Sequence, residues 1–249
     1  MIENIDDNMG KLMAFLDESG IAKDTLLIFM TDNGGTAGVK VFNAGMKRSK
    51  VTPYMGGTRV PAFWRWPAGF AGGKDCNKLT AHIDIFPTML QITNTPMPKE
   101  AAAQVEGRSF LPLLKNPDAM WDDRILFTHV GRWEKGKASE SKYSHVSARN
   151  TRYNLVNNAK QGEKWELFDI SKDPGETTNI ADQNPEVVQK LKGAIDKWWL
   201  DVFPLLVNEN VTGPKVNPFK ELYWKQFGGE PDADMLKKMN PTSKQGKKK

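Results

Sequence analysis

Residues 2–18 set Ile2, Ile5, Met9, Leu12, Met13 and Leu16 at three- and four-residue spacing, with acids on the other face, and LLIFM follows at 26–30. The first pattern predicts an amphipathic helix, because residues three and four apart share one helix face. Gly20 suits the position after its last turn. The second pattern, a short apolar run with polar boundaries, predicts a strand buried in a parallel sheet. Helix, short connection and buried strand make the unit of an α/β fold. Ligand sites in open α/β sheets lie just beyond the carboxyl ends of strands. Asp32 and Asn33 occupy that place, followed by Gly34 and Gly35. The helix pattern starts at Met1 with no N-cap before it, and the expectation is a truncated domain.

The next segments extend this unit. Residues 34–58 are rich in Gly and Lys with little periodicity and read as a long loop at the site. VPAFWRWP reads as a second buried strand stopped by Pro67, and residues 68–78 as a polar turn. LTAHIDIFPTMLQITN starts polar and turns into an apolar helix, with Pro87 in its first turn. Residues 95–106 read as loop and SFLPLLKNP as a short helix.

From residue 124 the pattern changes. RILFTHV, YSHVSARN, TRYNLVNN and KWELFDI, separated by Asn150-Thr151 and Gln161-Gly162, predict an antiparallel meander. PEVVQKLKGAIDKWWL at 185–200 predicts a helix with Pro at its first position, able to cover one face of that sheet. The expected division is 1–123, an α/β part; 124–205, a small antiparallel sheet-and-helix subdomain; and 206–249, a surface-wrapping extension with a basic tail.

Composition excludes several classes. No run of 18 apolar residues occurs, so no transmembrane helix is expected. The first residues lack the basic and apolar regions of a signal peptide. The net charge is +5, but residues 237–249 hold six lysines and no acid, and the remainder is near −1. With no folded basic face interleaved with aromatics, nucleic acid is not an expected partner. A single cysteine, Cys76, excludes an internal disulfide and a cysteine-based metal site. In its polar loop it reads as a surface thiol.

The residues after LLIFM carry the chemistry. Asp32 and Asn33 offer a carboxylate and an amide oxygen, hard ligands suited to calcium or magnesium, or else a turn after a strand. Lys50, near Lys40, Lys47 and Arg48, can donate to a sulfate or phosphate, or belong to a solvated charge run. His82, His129 and His145 are dispersed. His82, at a helix start, reads as a capping or packing residue rather than a base. Trp198-Trp199 reads as packing of the last helix on the sheet.

Taken in order, five segments resemble the sulfatase family, of arylsulfatase type, within the alkaline-phosphatase-like superfamily. They are MIENIDDNMGKLMAFLDESG, TLLIFMTDNGG, KRSKVTPYMGGTRVPAFWRWP, HIDIFPTML and WELFDISKDPGETTNIA. The third resembles a lysine loop usually written K-G-S/T-x-x-E-G-G-x-R-V-P. The resemblance covers residues 1 to about 205. It implies the C-terminal part of an alkaline-phosphatase-like sandwich plus the small subdomain. It also implies that Asp32 and Asn33 ligate a divalent cation, usually Ca2+ with Mg2+ possible, and that Lys50 contacts the sulfate. The implied reaction is hydrolysis of a sulfate ester on a sulfated small molecule or glycan, in a periplasmic or secreted enzyme.

Two departures lie in the loop: Met55 stands where the family usually has Glu, and Val51 where it often has Gly. A third is larger. The family's nucleophile is a formylglycine made from Cys or Ser in C/S-x-P-S/A-R, and no such motif occurs here. The expectation is therefore a fragment, inactive alone, whose partner is the missing N-terminal half of the domain. The rival readings are a phosphodiesterase or phosphonate hydrolase of the same superfamily, and a non-catalytic binding or structural remnant of the scaffold.

Overall fold

The computed structural model describes residues 2–206, 211–214, 216–226 and 228–229. Helix α1 runs Ile2–Glu18 and ends at Gly20, whose φ of 73° is left-handed and whose N–H donates to the Asp17 carbonyl at 3.1 Å. Strand β1, Leu27–Met30, follows a single 3-10 turn. It pairs with β2, Ala62–Arg65, in the register Leu27↔Arg65 to Met30↔Ala62.

That pairing corrects the sequence reading, because β1 and β2 are antiparallel, β1 is half-buried, and Ala62 and Phe63 of β2 are exposed. A parallel return needs a crossover, usually a helix. Here residues 31–61 fold over the strand ends instead, with only a 3-10 turn at Ala37–Lys40 and one turn of helix, α2, at Met55–Thr58. Each strand keeps one unpaired edge within the described residues.

A 3-10 turn at His82–Asp84 leads into α3, Ile85–Ile92, with Pro87 in the first turn. The segment read as loop holds a short helix, α4, Lys99–Ala102, started by Pro98. Helix α5 is Leu111–Lys115.

The meander is present as strands β3 Leu126–His129, β4 Val146–Arg149, β5 Tyr153–Asn157 and β6 Trp165–Asp169, paired in that order and all antiparallel. The Asn150 side chain accepts from the Arg152 and Tyr153 amides at 3.0 and 2.6 Å, which closes the turn into β5. His145, expected within a strand, lies just before β4 with a left-handed φ of 48°.

Helix α6, Pro185–Val202, places Leu191, Ile195 and Trp199 on one stripe at four-residue spacing. Leu191 and Ile195 bury against Val146, Ala148, Leu155 and Leu167 of the sheet. Trp198 stacks on Phe127 with ring centres 5.1 Å apart, and Trp199 lies 5.3 Å from His129. The opposite face of the sheet, with Val156 and Phe168, packs on Tyr54, Met55 and Met46 of the long loop. Both faces are therefore dry, one under a helix and one under a loop.

Residues beyond 206 belong to a second unit, with α7 at Pro218–Gln226. The expected surface-wrapping course of that extension falls on this unit and largely outside the described residues, as does the lysine tail at 237–249. Among the described residues no helix is long and apolar enough to cross a membrane.

Two predictions follow from burial. Helix α1 buries only Leu16, while Ile2, Ile5, Leu12, Met13 and Phe15 are exposed. Exposed apolar residues on one helix and unpaired strand edges each favour association. The purified chain is expected to self-associate in analytical ultracentrifugation; a cooperatively melting monomer is the contrary result. His129 is half-buried among tryptophans, and its desolvation holds its imidazole below the usual value of 6.5. The Ser141 carbonyl, at 2.9 Å from Nε2, requires a proton there, and the Gly131 N–H requires a bare Nδ1. The unfolded chain takes up a proton near 6.5 that the folded chain refuses. Stability is then full above that pH and falls as pH drops toward the depressed folded value. Urea melts across pH 5 to 8 should show this slope, flattened in His129→Gln.

Candidate functional site

Two glycine contacts bring the Asp32-Asn33 turn and the Lys50 loop together. The Gly34 N–H donates to the Gly57 carbonyl at 3.0 Å, and the Lys50 N–H donates to the Gly35 carbonyl at 2.9 Å. A Cβ on Gly34 would sit 1.9 Å from the Gly56 oxygen, and one on Gly56 would sit 2.3 Å from the Arg48 oxygen. A side chain at Gly34 would drive the two segments apart, and one at Gly56 would push α2 off residues 47–48 within the loop. The paired Gly-Gly steps thus act as a close backbone contact between the strand end and the lysine loop.

Asp32 is exposed and Asn33 half-buried at the end of β1. The Asn33 amide nitrogen donates to the Gly34 carbonyl at 3.0 Å, which leaves its oxygen as the outward acceptor. Lys50 is half-buried. Among the described residues neither its ammonium nor the Asp32 carboxylate has a side-chain hydrogen bond or ion pair. The next residue, Val51, has φ of 69°, a conformation a β-branched side chain adopts only under constraint. Glycine, which the resemblance led us to expect there, adopts it freely.

The donor types of Asp32 and Asn33 fit a hard cation, and they supply two of the six to eight oxygens that calcium takes. No group of three or more His, Cys, Asp or Glu residues placed to hold a metal occurs among the described residues.

His82 reaches the same turn. Its Nε2 lies 3.0 Å from the carbonyl oxygen of Thr31, the residue before Asp32. Of the two roles expected for His82, capping or packing, this is the packing one; the cap is made by Asp84. The Asp84 carboxylate accepts the Ala81 N–H at 2.8 Å and the Arg108 N–H at 3.0 Å, and is clamped by both terminal nitrogens of Arg124. Asp84 is fully buried. The period of HIDIFPTML marks a helix start, but nothing in it marks Arg124 as a partner forty residues on.

Met55, in place of the expected Glu, is buried in the apolar cluster with Phe168, Val156 and Ile170. A carboxylate reaches this spot from elsewhere: Glu176 Oε2 accepts the Met55 N–H at 2.8 Å. Cys76 is exposed, as its loop suggested.

Comparison with known proteins gives the family. A family model described as N-sulphoglucosamine sulphohydrolase, C-terminal, matches residues 49–199, and one described as Sulfatase matches residues 1–95. The chain belongs to the sulfatase family. It is 28% identical over 213 residues to a sulfatase of Formosa agariphila, covering 79% of this chain and 38% of that protein. It is 30% identical over 210 residues to human arylsulfatase A, covering 76% of this chain and 40% of that protein. A solved structure in complex with its substrate D-glucosamine-2-N,6-O-disulfate aligns with a TM-score of 0.60 at 19% identity, covering 85% of this chain and 41% of that one. The fold is that of the C-terminal portion of an alkaline-phosphatase-like sulfatase. The chain spans about two fifths of the length of these curated relatives.

The Asp84–Arg124 pair ties the α3 start to the beginning of the meander, with side-chain exposures of 13% for Arg124 and 0% for Asp84. Removing Arg124 leaves the buried Asp84 carboxylate without its counter-charge, held only by the Ala81 and Arg108 N–H groups. Arg124→Ala is expected to cost about 3–5 kcal/mol in chemical denaturation, against under about 1 kcal/mol for Lys137→Ala in the exposed Lys137–Glu140 pair.

Proposed function

We propose that this chain carries part of the active site of a sulfuric ester hydrolase. In this reading Asp32 and Asn33 are two ligands of a divalent cation, and Lys50 is the group that meets the sulfuryl oxygens. One observation carries the reading. The Lys50 backbone N–H is held by the Gly35 carbonyl at 2.9 Å, two residues after Asn33, and its half-buried ammonium has no protein partner among the described residues. Charge left unpaired in a half-buried loop is suited to a ligand of opposite charge.

The Lys50 ammonium donates hydrogen bonds to the anionic ester and favours the charge that gathers on its non-bridging oxygens as the ester bond breaks. Asp32 and Asn33 would hold the divalent cation. Calcium, with magnesium as the alternative, supplies positive charge there when bound. The remaining ligands and the formylglycine nucleophile come, in this reading, from a segment carrying C/S-x-P-S/A-R, which is the partner the chain requires. Residues 1–123 then supply the site, and residues 124–205 form the subdomain that backs it.

The substrate class is a sulfated small molecule or glycan, supported by the disulfated glucosamine bound in the solved neighbour. A periplasmic or secreted location is part of the same proposal.

The chain alone is expected to show no turnover of a chromogenic aryl sulfate with calcium present; turnover above a Lys50→Ala control overturns the fragment reading. Joined to a segment that restores activity, Lys50→Ala should lower kcat by about 10²–10³-fold. In the same preparation a phosphate ester turned over faster than the sulfate ester would favour the phosphodiesterase reading.

A further inference from the structure

The ISKDPGETTNIA segment follows β6, and Glu176 within it is fully buried with a left-handed φ of 54°. A buried carboxylate is costly unless its oxygens are satisfied. Both are: Oε2 accepts the Met55 N–H at 2.8 Å, and Oε1 accepts the Asn154 side-chain amide at 2.6 Å. The first of these donors opens α2 and the second sits on β5. One side chain therefore spans from the meander to the turn that follows the lysine loop. The neighbouring Gly175 presses on that loop as well, since a Cβ there would lie 3.0 Å from the Gly45 carbonyl oxygen.

A second acid on the same sheet face supports this contact. Glu166 holds the Lys47 ammonium at 3.3 Å and the Tyr54 hydroxyl. Lys47 also lies over the Tyr54 and Phe168 rings, at 4.8 and 4.5 Å from their centres. Lys50 is thus bracketed. Three residues before it the chain is fastened to β6, and five residues after it Met55 is fastened to Glu176. Between them Val51 sits in a strained backbone region. Such strain persists only where the surroundings enforce it.

We propose that Glu176 is a positioning residue for the Lys50 loop: through the Met55 N–H it fixes α2, and through α2 the Gly34–Gly57 contact and the place of the Lys50 ammonium. This extends the reading of Lys50 as the sulfate-binding group and rests on it. Burial raises the Glu176 carboxyl above the usual range, while the Met55 and Asn154 donors, with Lys47 and Arg149, oppose that rise. Glutamine can take its place without loss of hydrogen bonds. Its oxygen accepts the Met55 N–H, and its amide donates to the Asn154 Oδ1, which is buried without a partner, once that amide turns over. Alanine cannot.

Hydrogen exchange by mass spectrometry on the 249-residue chain tests this. Glu176→Ala should speed exchange in residues 47–58 by about tenfold and leave residues 146–157 and α6 unchanged. Glu176→Gln should keep wild-type exchange in both regions. Glu176→Asp, charged but too short to reach both donors, should behave like alanine. Inorganic sulfate should protect 47–58 in the wild type and in Glu176→Gln, and protect it more weakly in Glu176→Ala. Unchanged exchange of 47–58 in Glu176→Ala overturns the proposal. So does equal loosening of the meander in Glu176→Ala and Glu176→Asp, which would make Glu176 an ordinary core residue. Sulfate protection that survives Lys50→Ala would instead sink the reading of Lys50, with the basal exchange result still standing for Glu176.

Discussion

The meander buries both of its faces, and the second face is covered by a loop. Val156 and Phe168 point to one side of the sheet, Leu155 and Leu167 to the other, because neighbours along a strand alternate. Helix α6 satisfies its own backbone and can cover a face with side chains alone. A loop cannot do this, since its N–H and C=O groups need partners once buried. Residues 43–58 find those partners locally and from the sheet. The Asn43 amide donates to the Met46 and Arg48 carbonyls at 2.7 and 2.8 Å, and Thr52 donates to the Ser49 carbonyl at 2.6 Å. Glu166 and Glu176 reach up from the sheet side. The shape of the lysine loop is thus a consequence of how the meander is covered.

The candidate site inherits this constraint. Lys50 sits on a segment whose two flanks are tied to β6 and to Glu176, and whose backbone touches the Asp32-Asn33 turn through glycines. The departures from the family pattern become physically legible in this setting. Met55 is tolerated because its side chain enters the apolar cluster beneath the loop, while its N–H meets a carboxylate from the subdomain. Val51 keeps the left-handed backbone that glycine would adopt without strain, which implies that the surrounding contacts outweigh a cost of about 1–2 kcal/mol.

Much of the scaffold was legible along the chain. The 3.6-residue periodicity marked α1 and α6, the alternation marked β3 to β6, and the Pro185 and Pro87 placements marked helix starts. The Asp32-Asn33 pair and Lys50 stood out by residue type, and the order of five segments pointed to the sulfatase family. The direction of β2 was not legible. An apolar run such as LLIFM carries the same signal whether its neighbour runs parallel or antiparallel, and only the path of residues 31–61 decides. His82 stands at the start of α3 and reads as a capping or packing residue; it packs on the Thr31 carbonyl, and the buried Asp84 makes the cap.

Sequence alone determined which residues are apolar, how often they recur, and which hard-ligand and cationic groups lie near a strand end. These are properties of local spacing. Tertiary structure decided the meetings between distant residues: Arg124 with Asp84, Glu166 with Lys47 and Tyr54, Glu176 with Met55 and Asn154. Such pairs join groups separated by tens of residues or more, and any exposed acid in the chain could have offered the same charge. Only burial selects among them, because inside the protein an unpaired charge or N–H is too costly to leave, and in water it costs almost nothing.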